Sequence, residues 1–114
     1  MQVPLEVDYR NVDKTEALES LIRDKVAKLE QVCNQLDSCR VSVEKVHEQP
    51  RSGSPYRVRI DATVPPGHEI AVAKNPGEGS RDAPLEAVIR DAFQAARRRL
   101  NELNERQHGH TKQH

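Results

Sequence analysis

The sequence predicts an α+β domain of order β-α-β-β-β-α, a four-stranded mixed sheet with two roughly parallel helices packed on one face. Three observations predict it. Apolar residues recur every three or four positions in two long stretches, they alternate in four short ones, and turn-forming residues fill the segments between. With 114 residues the chain has room for one core without staples. Residues 1–106 are expected to form that single domain, and 107–114 a polar, disordered tail.

Val3, Leu5, Val7 and Tyr9 alternate with Gln2, Pro4, Glu6, Asp8 and Arg10, the period of a strand with one buried face. Pro4 places it at an edge or at the strand's start. Asp13 followed by Glu16 reads as a capping-box variant opening a helix to about Val32, with Leu18, Leu21, Ile22, Val26, Leu29 and Cys33 on one side. Cys39, Val41 and Val43 alternate in a second strand running to about His47. The segment 48–55, EQPRSGSP, is a polar loop.

Tyr56, Val58, Ile60, Ala62 and Val64 alternate with Arg57, Arg59, Asp61 and Thr63 in a third strand, which Pro65, Pro66 and Gly67 turn back into a fourth through His68, Ile70 and Val72. The final helix covers 84–106, with Asp82 able to cap it and Pro84 tolerated in its first turn. Leu85, Val88, Ile89, Ala92, Phe93, Ala96, Leu100 and Leu103 form its apolar stripe. A crossover helix between the first two strands makes them parallel, while the later strands pair antiparallel. Each strand has one apolar face, so both helices must cover the same side. The other face, with Arg40, Arg57, Arg59, Glu44 and Asp61, is left to solvent.

Lys plus Arg and Asp plus Glu number 18 each, so no global charge points to nucleic acid and any such contact depends on local clustering. Tyr9, Tyr56 and Phe93 are the only aromatic residues, too few to make a platform for stacking unpaired bases. Without a leader or a long apolar run the chain is expected to be cytoplasmic and independent of membranes. Cys33 and Cys39 match no zinc spacing and suit buried small residues, so neither metal nor cofactor is expected.

His108, His110 and His114 lie in the tail, His68 lies beside a turn and His47 ends a strand. None has a placed nucleophile or acid partner, and no glycine-rich phosphate loop follows a strand. An enzyme with a small-molecule substrate is therefore not expected.

The last helix sorts its arginines by the same period as its apolar residues. Arg90 and Arg97 share one shoulder of the stripe, Arg99 lies on the opposite shoulder, and Arg98 points outward. In the first helix Lys25 interrupts the apolar stripe between Leu21 and Leu29, with Lys28 and Lys14 toward the same shoulder. Lys25 either covers apolar surface with its stem while the ammonium reaches water, or borders a groove where the ammonium meets phosphate. The arginines likewise read either as a solvated face balanced by Glu86, Asp91, Glu102 and Glu105 or as a phosphate-binding edge.

Several local strings stand out in order: the opening MQVPLEV, Lys25-Val26-Ala27-Lys28-Leu29-Glu30, Ser38-Cys39-Arg40-Val41, and Tyr56-Arg57-Val58-Arg59-Ile60-Asp61 with its Val64-Pro65 turn. In the last helix they are Ala87-Val88-Ile89-Arg90-Asp91-Ala92-Phe93 and Ala95-Ala96-Arg97-Arg98. Together, and in this order, they resemble the short ribosome hibernation factors, a family related to sigma-54 modulation proteins that includes the hibernation promoting factor and the ribosome-associated inhibitor. The match spans nearly the whole chain.

The resemblance implies a monomeric cytoplasmic protein that occupies the decoding channel of the small ribosomal subunit and blocks messenger and transfer RNA. It also implies that Lys25, Lys28, Arg90, Arg97 and Arg98 meet ribosomal RNA, with Arg99 and Arg106 extending the patch. Cations on a rigid two-helix platform suit the spacing of folded RNA phosphates without reading bases. Two other readings share this architecture, a general double-stranded RNA module and a regulatory protein-interaction domain.

Overall fold

Alternation is realised in four strands, β1 (Leu5–Arg10), β2 (Ser38–Lys45), β3 (Tyr56–Val64) and β4 (His68–Lys74), and the helical period in α1 (Glu16–Val32) and α2 (Leu85–Lys112). The computed structural model describes residues 4–33, 35–46, 52–65 and 67–112, those from 107 by backbone alone. His47, the expected end of the second strand, lies outside the described residues, as do 48–51 of the following loop and the side chains of the predicted tail.

The sheet order is β1-β2-β3-β4, with β1 parallel to β2 and the other pairs antiparallel. Register places Val7 opposite Val41, Val41 opposite Ile60, and Ile60 opposite Val72, an apolar row across the sheet. Both helices lie on that side. Ile22 and Leu29 of α1 and Ile89, Phe93, Ala96 and Leu100 of α2 are buried with Val41, Val43, Val58 and Ile60 in one core.

On the opposite face charge is paired across and along strands. Arg40 meets Glu6 at 2.7 Å, Arg57 meets Glu44 at 3.0 Å, and Arg59 meets Asp61 at 3.0 Å. These exposed pairs add little stability, but each occupies its arginine.

The helices run in the same sense. Lys25 and Lys28 flank the segment of α2 from Arg90 to Arg97, and further along Val32 meets Asn104. The start of α1 corrects the expected cap. Thr15, in extended conformation, is the N-cap, and its hydroxyl oxygen accepts from the Leu18 N–H at 3.1 Å, so Asp13 stands two residues before the cap. Pro84 sits just before α2 rather than within its first turn. Its carbonyl accepts the Ala87 and Val88 N–H groups, which leaves Asp82 upstream of the cap. At the other end of α1 the Asn104 side-chain amide donates to the Val32 carbonyl at 2.8 Å, supplying from α2 a partner for an orphan acceptor.

Two loops hold the sheet's far end. The Ser54 N–H donates to Glu78 O at 3.1 Å, and the Gly77 N–H donates to Ser54 O at 2.8 Å. Gly53, with φ of 85°, backs onto Gly77, so that a Cβ at position 53 would meet the Gly77 carbonyl.

At the other edge, Leu5, Val7 and Tyr9 of β1 are only partly buried, because a cleft of about 680 Å³ separates β1 from α1. Lys14 and Arg23 both pair with Glu19 at its rim. The Tyr9 hydroxyl is enclosed and has no hydrogen-bond partner among the described residues.

Candidate nucleic-acid interface

Where α1 and α2 lie side by side, their facing shoulders leave an open groove of about 300 Å³. Leu29 and Phe93 form its apolar floor, and Lys25, Lys28, Arg90 and Arg97 stand around it. The helical period explains the convergence. Lys25 and Lys28 are three apart and Arg90 and Arg97 seven apart, so each pair lies along one side of its helix. Lys25, the residue that interrupts the apolar stripe, is half-buried and lines this groove.

The groove's electrostatics differ from those of the open sheet face. Its lining contains no carboxylate. Among the described residues Lys25, Arg90 and Arg97 form no ion pair within 4.0 Å, while Lys28 has one exposed helical neighbour, Asp24 at 3.8 Å. Arg40 and Arg59, by contrast, hold their protons more firmly than usual because Glu6 and Asp61 accept their hydrogen bonds. The sheet arginines are engaged internally, and the groove cations are available to an external anion.

Not every predicted site residue joins this cluster. Arg98 and Arg99 lie on the other flank of α2, above β4, where they share a trough of about 320 Å³ with Lys74 and Glu102. Lys14, placed by the helical wheel on the shoulder of Lys28, instead pairs with Glu19 at 3.1 Å beside the β1 cleft. Sequence inspection missed Lys74 as a neighbour of the arginines, because the contact depends on how α2 lies over β4. Gln94 also lines the interhelical groove, as a neutral hydrogen-bonding side chain between the cations.

Cys33 and Cys39 are free and buried in the core, away from either cationic surface. Burial pushes the Cys39 thiol up to about 11, with the nearby Asp61 charge acting in the same direction. The described residues contain no group of three or more potential metal-ligating side chains, and none of their helices is long and apolar enough to cross a membrane.

The sequence matches the family model described as Sigma 54 modulation protein / S30EA ribosomal protein over residues 5–108. No curated protein matches it. Among solved structures, it is similar to the N-terminal domain of Protein Y from Thermus thermophilus, with a TM-score of 0.66 and 20% identity, over 90% of this chain and 99% of that one. It is also similar to a ribosomal subunit interface protein from Coxiella burnetii, with a TM-score of 0.70 and 11% identity, over 90% of this chain and 98% of that one. At these identities the two structures speak for the fold.

Proposed function

The chain belongs to the Sigma 54 modulation protein / S30EA ribosomal protein family, and from that premise we propose that it is a ribosome hibernation factor acting by occlusion. It binds ribosomal RNA of the small subunit in the decoding channel, keeps messenger and transfer RNA out, and so silences and protects idle ribosomes. No covalent step is required of it, and it acts as a soluble cytoplasmic monomer.

The observation that carries this reading is the interhelical groove, where four cations converge and no carboxylate lines the wall. The two packed helices fix the spacing at which the four cations are presented to phosphates. Arginine adds a fork matched to two phosphate oxygens, whereas lysine acts as a point charge. Contacts of this kind fix position on folded RNA without reading bases, which suits a protein with few aromatic residues. Lys25, Lys28, Arg90 and Arg97 carry the contact. Arg98 and Arg99, on the opposite flank of α2, add a second positive surface toward β4, and zero net charge makes the interaction depend on such local concentration.

The test is co-sedimentation of the purified chain with small subunits and with whole ribosomes across a salt series. Wild type is expected to bind stoichiometrically, with affinity falling as salt rises. Lys25→Glu with Arg97→Glu should weaken binding by about 3 to 6 kcal/mol, from two charge-assisted hydrogen bonds of about 1.5 to 3 each, while the melting temperature stays unchanged. Binding of any long RNA duplex as tightly as small subunits would favour a general double-stranded RNA module. Failure of the wild type to sediment with ribosomes at low salt would leave the protein-interaction reading.

A further inference from the structure

The two edges of the sheet are built differently. β1 is preceded by Pro4 and carries Glu6, Asp8 and Arg10 on its open face, features that discourage a further strand from pairing. β4 has no such protection over Ile70-Ala71-Val72-Ala73, which contains no proline, charge or bulky outward group. Among the described residues β4 pairs only with β3, so one row of its backbone N–H and C=O groups faces outward. Alongside that row runs the trough described above, with the small side chains of Ala92 and Ala95 on the α2 side. Lys74, Arg98 and Arg99 stand over it against one carboxylate, Glu102.

We propose that the β4 edge is a docking site for an extended acidic segment of a protein partner, added as a fifth strand beneath Arg98 and Arg99. Charge complementarity selects the acidic segment, since three cations to one acid favour aspartate or glutamate on the side facing α2. The alternating edge selects polypeptide over RNA. A strand supplies both donors and acceptors, whereas phosphate oxygens only accept and would be repelled by the outward β4 carbonyls. A second copy of the chain is disfavoured because antiparallel β4–β4 pairing would bring two sets of Arg98 and Arg99 together.

The test is titration of the full-length ¹⁵N-labelled protein with a synthetic peptide of alternating valine and glutamate, and with a valine–lysine counterpart. The acidic peptide is expected to shift the β4 amide resonances, and the basic one to leave them unmoved. Arg98→Glu with Arg99→Glu should weaken acidic-peptide binding at least tenfold. A charge-matched control, Arg10→Glu with Lys45→Glu at exposed positions far from the trough, should bind as wild type; circular dichroism checks that both variants fold.

Three results of the peptide titration would overturn the proposal. These are no β4 shifts at millimolar acidic peptide, equal binding by the reversed variant, or displacement of the peptide by a short single-stranded RNA that itself shifts β4. The last would leave Arg98 and Arg99 to RNA alone. Concentration-dependent β4 shifts without peptide, with a dimer by sedimentation, would also overturn it in favour of self-pairing.

Discussion

Phe93 occupies a position where two demands meet. Its ring is 3% exposed within the core, and it also floors the groove between Lys25 and Arg97. Phe93→Ala should therefore cost about 3 to 5 kcal/mol of stability, read from chemical denaturation; a loss under about 1 kcal/mol would show that the helices close without it. Cys39 has a different residue-scale consequence. Its native thiol is held at about 11, above the ordinary value of 9.0, so the folded state keeps a proton that the unfolded state loses first. That contribution is intact below pH 9 and is lost as pH rises from 9 toward 11. Denaturation curves for wild type and Cys39→Ala should accordingly converge over this interval, and iodoacetamide should label Cys39 only when the protein unfolds.

The elements depend on contacts that are local at one end and distant at the other. Thr15 caps α1 from three residues away, but the far end of α1 relies on Asn104, 72 residues later. Replacing Asn104 with Ala should lower stability by about 1 to 3 kcal/mol, the cost of leaving a partly buried carbonyl without its donor, with ribosome sedimentation unchanged. A melting temperature equal to wild type would mean that water replaces the amide. Contacts of this kind also separate what was legible in the sequence from what was not. The alternation in β3 and the 3.6-residue stripe of α2 are local and strong, so they predicted both elements and the face each buries. The cap of α1 was misplaced because Asp13 and Thr15 are both good capping residues, and the choice rests on where the chain leaves β1. Lys25 stood out because a cation within an apolar stripe is anomalous, whereas nothing in the spacing of Arg98 and Arg99 reveals that β4 brings Lys74 beside them.

For the whole molecule, the topology assigns α2 and the β2-β3-β4 meander to one continuous unit, and adds β1 at the rim through the crossover of α1. Among the described residues charge follows the same division into surfaces: paired on the open sheet face, unpaired between the helices except at Lys28, and partly balanced along β4. Zero net charge thus conceals an uneven distribution, and the parallel first pair and antiparallel remainder were predictable because a right-handed crossover leaves few alternatives. The cleft beside β1 has a further consequence, in the order in which the fold opens. Leu5, Val7 and Tyr9 are only partly covered, so detaching β1 exposes less new apolar surface than separating β2 from β3, and the buried Tyr9 hydroxyl regains water. Rim and centre should therefore open at different free energies. In native-state hydrogen exchange, β1 amides are expected to exchange through a partial opening at least tenfold faster than those of Val41 and Ile60. Uniform protection would instead show that the sheet opens only as a whole. An early-opening β1 would briefly uncover the outer edge of β2, which carries two fully buried valines, and would make this rim a point of entry for proteolysis.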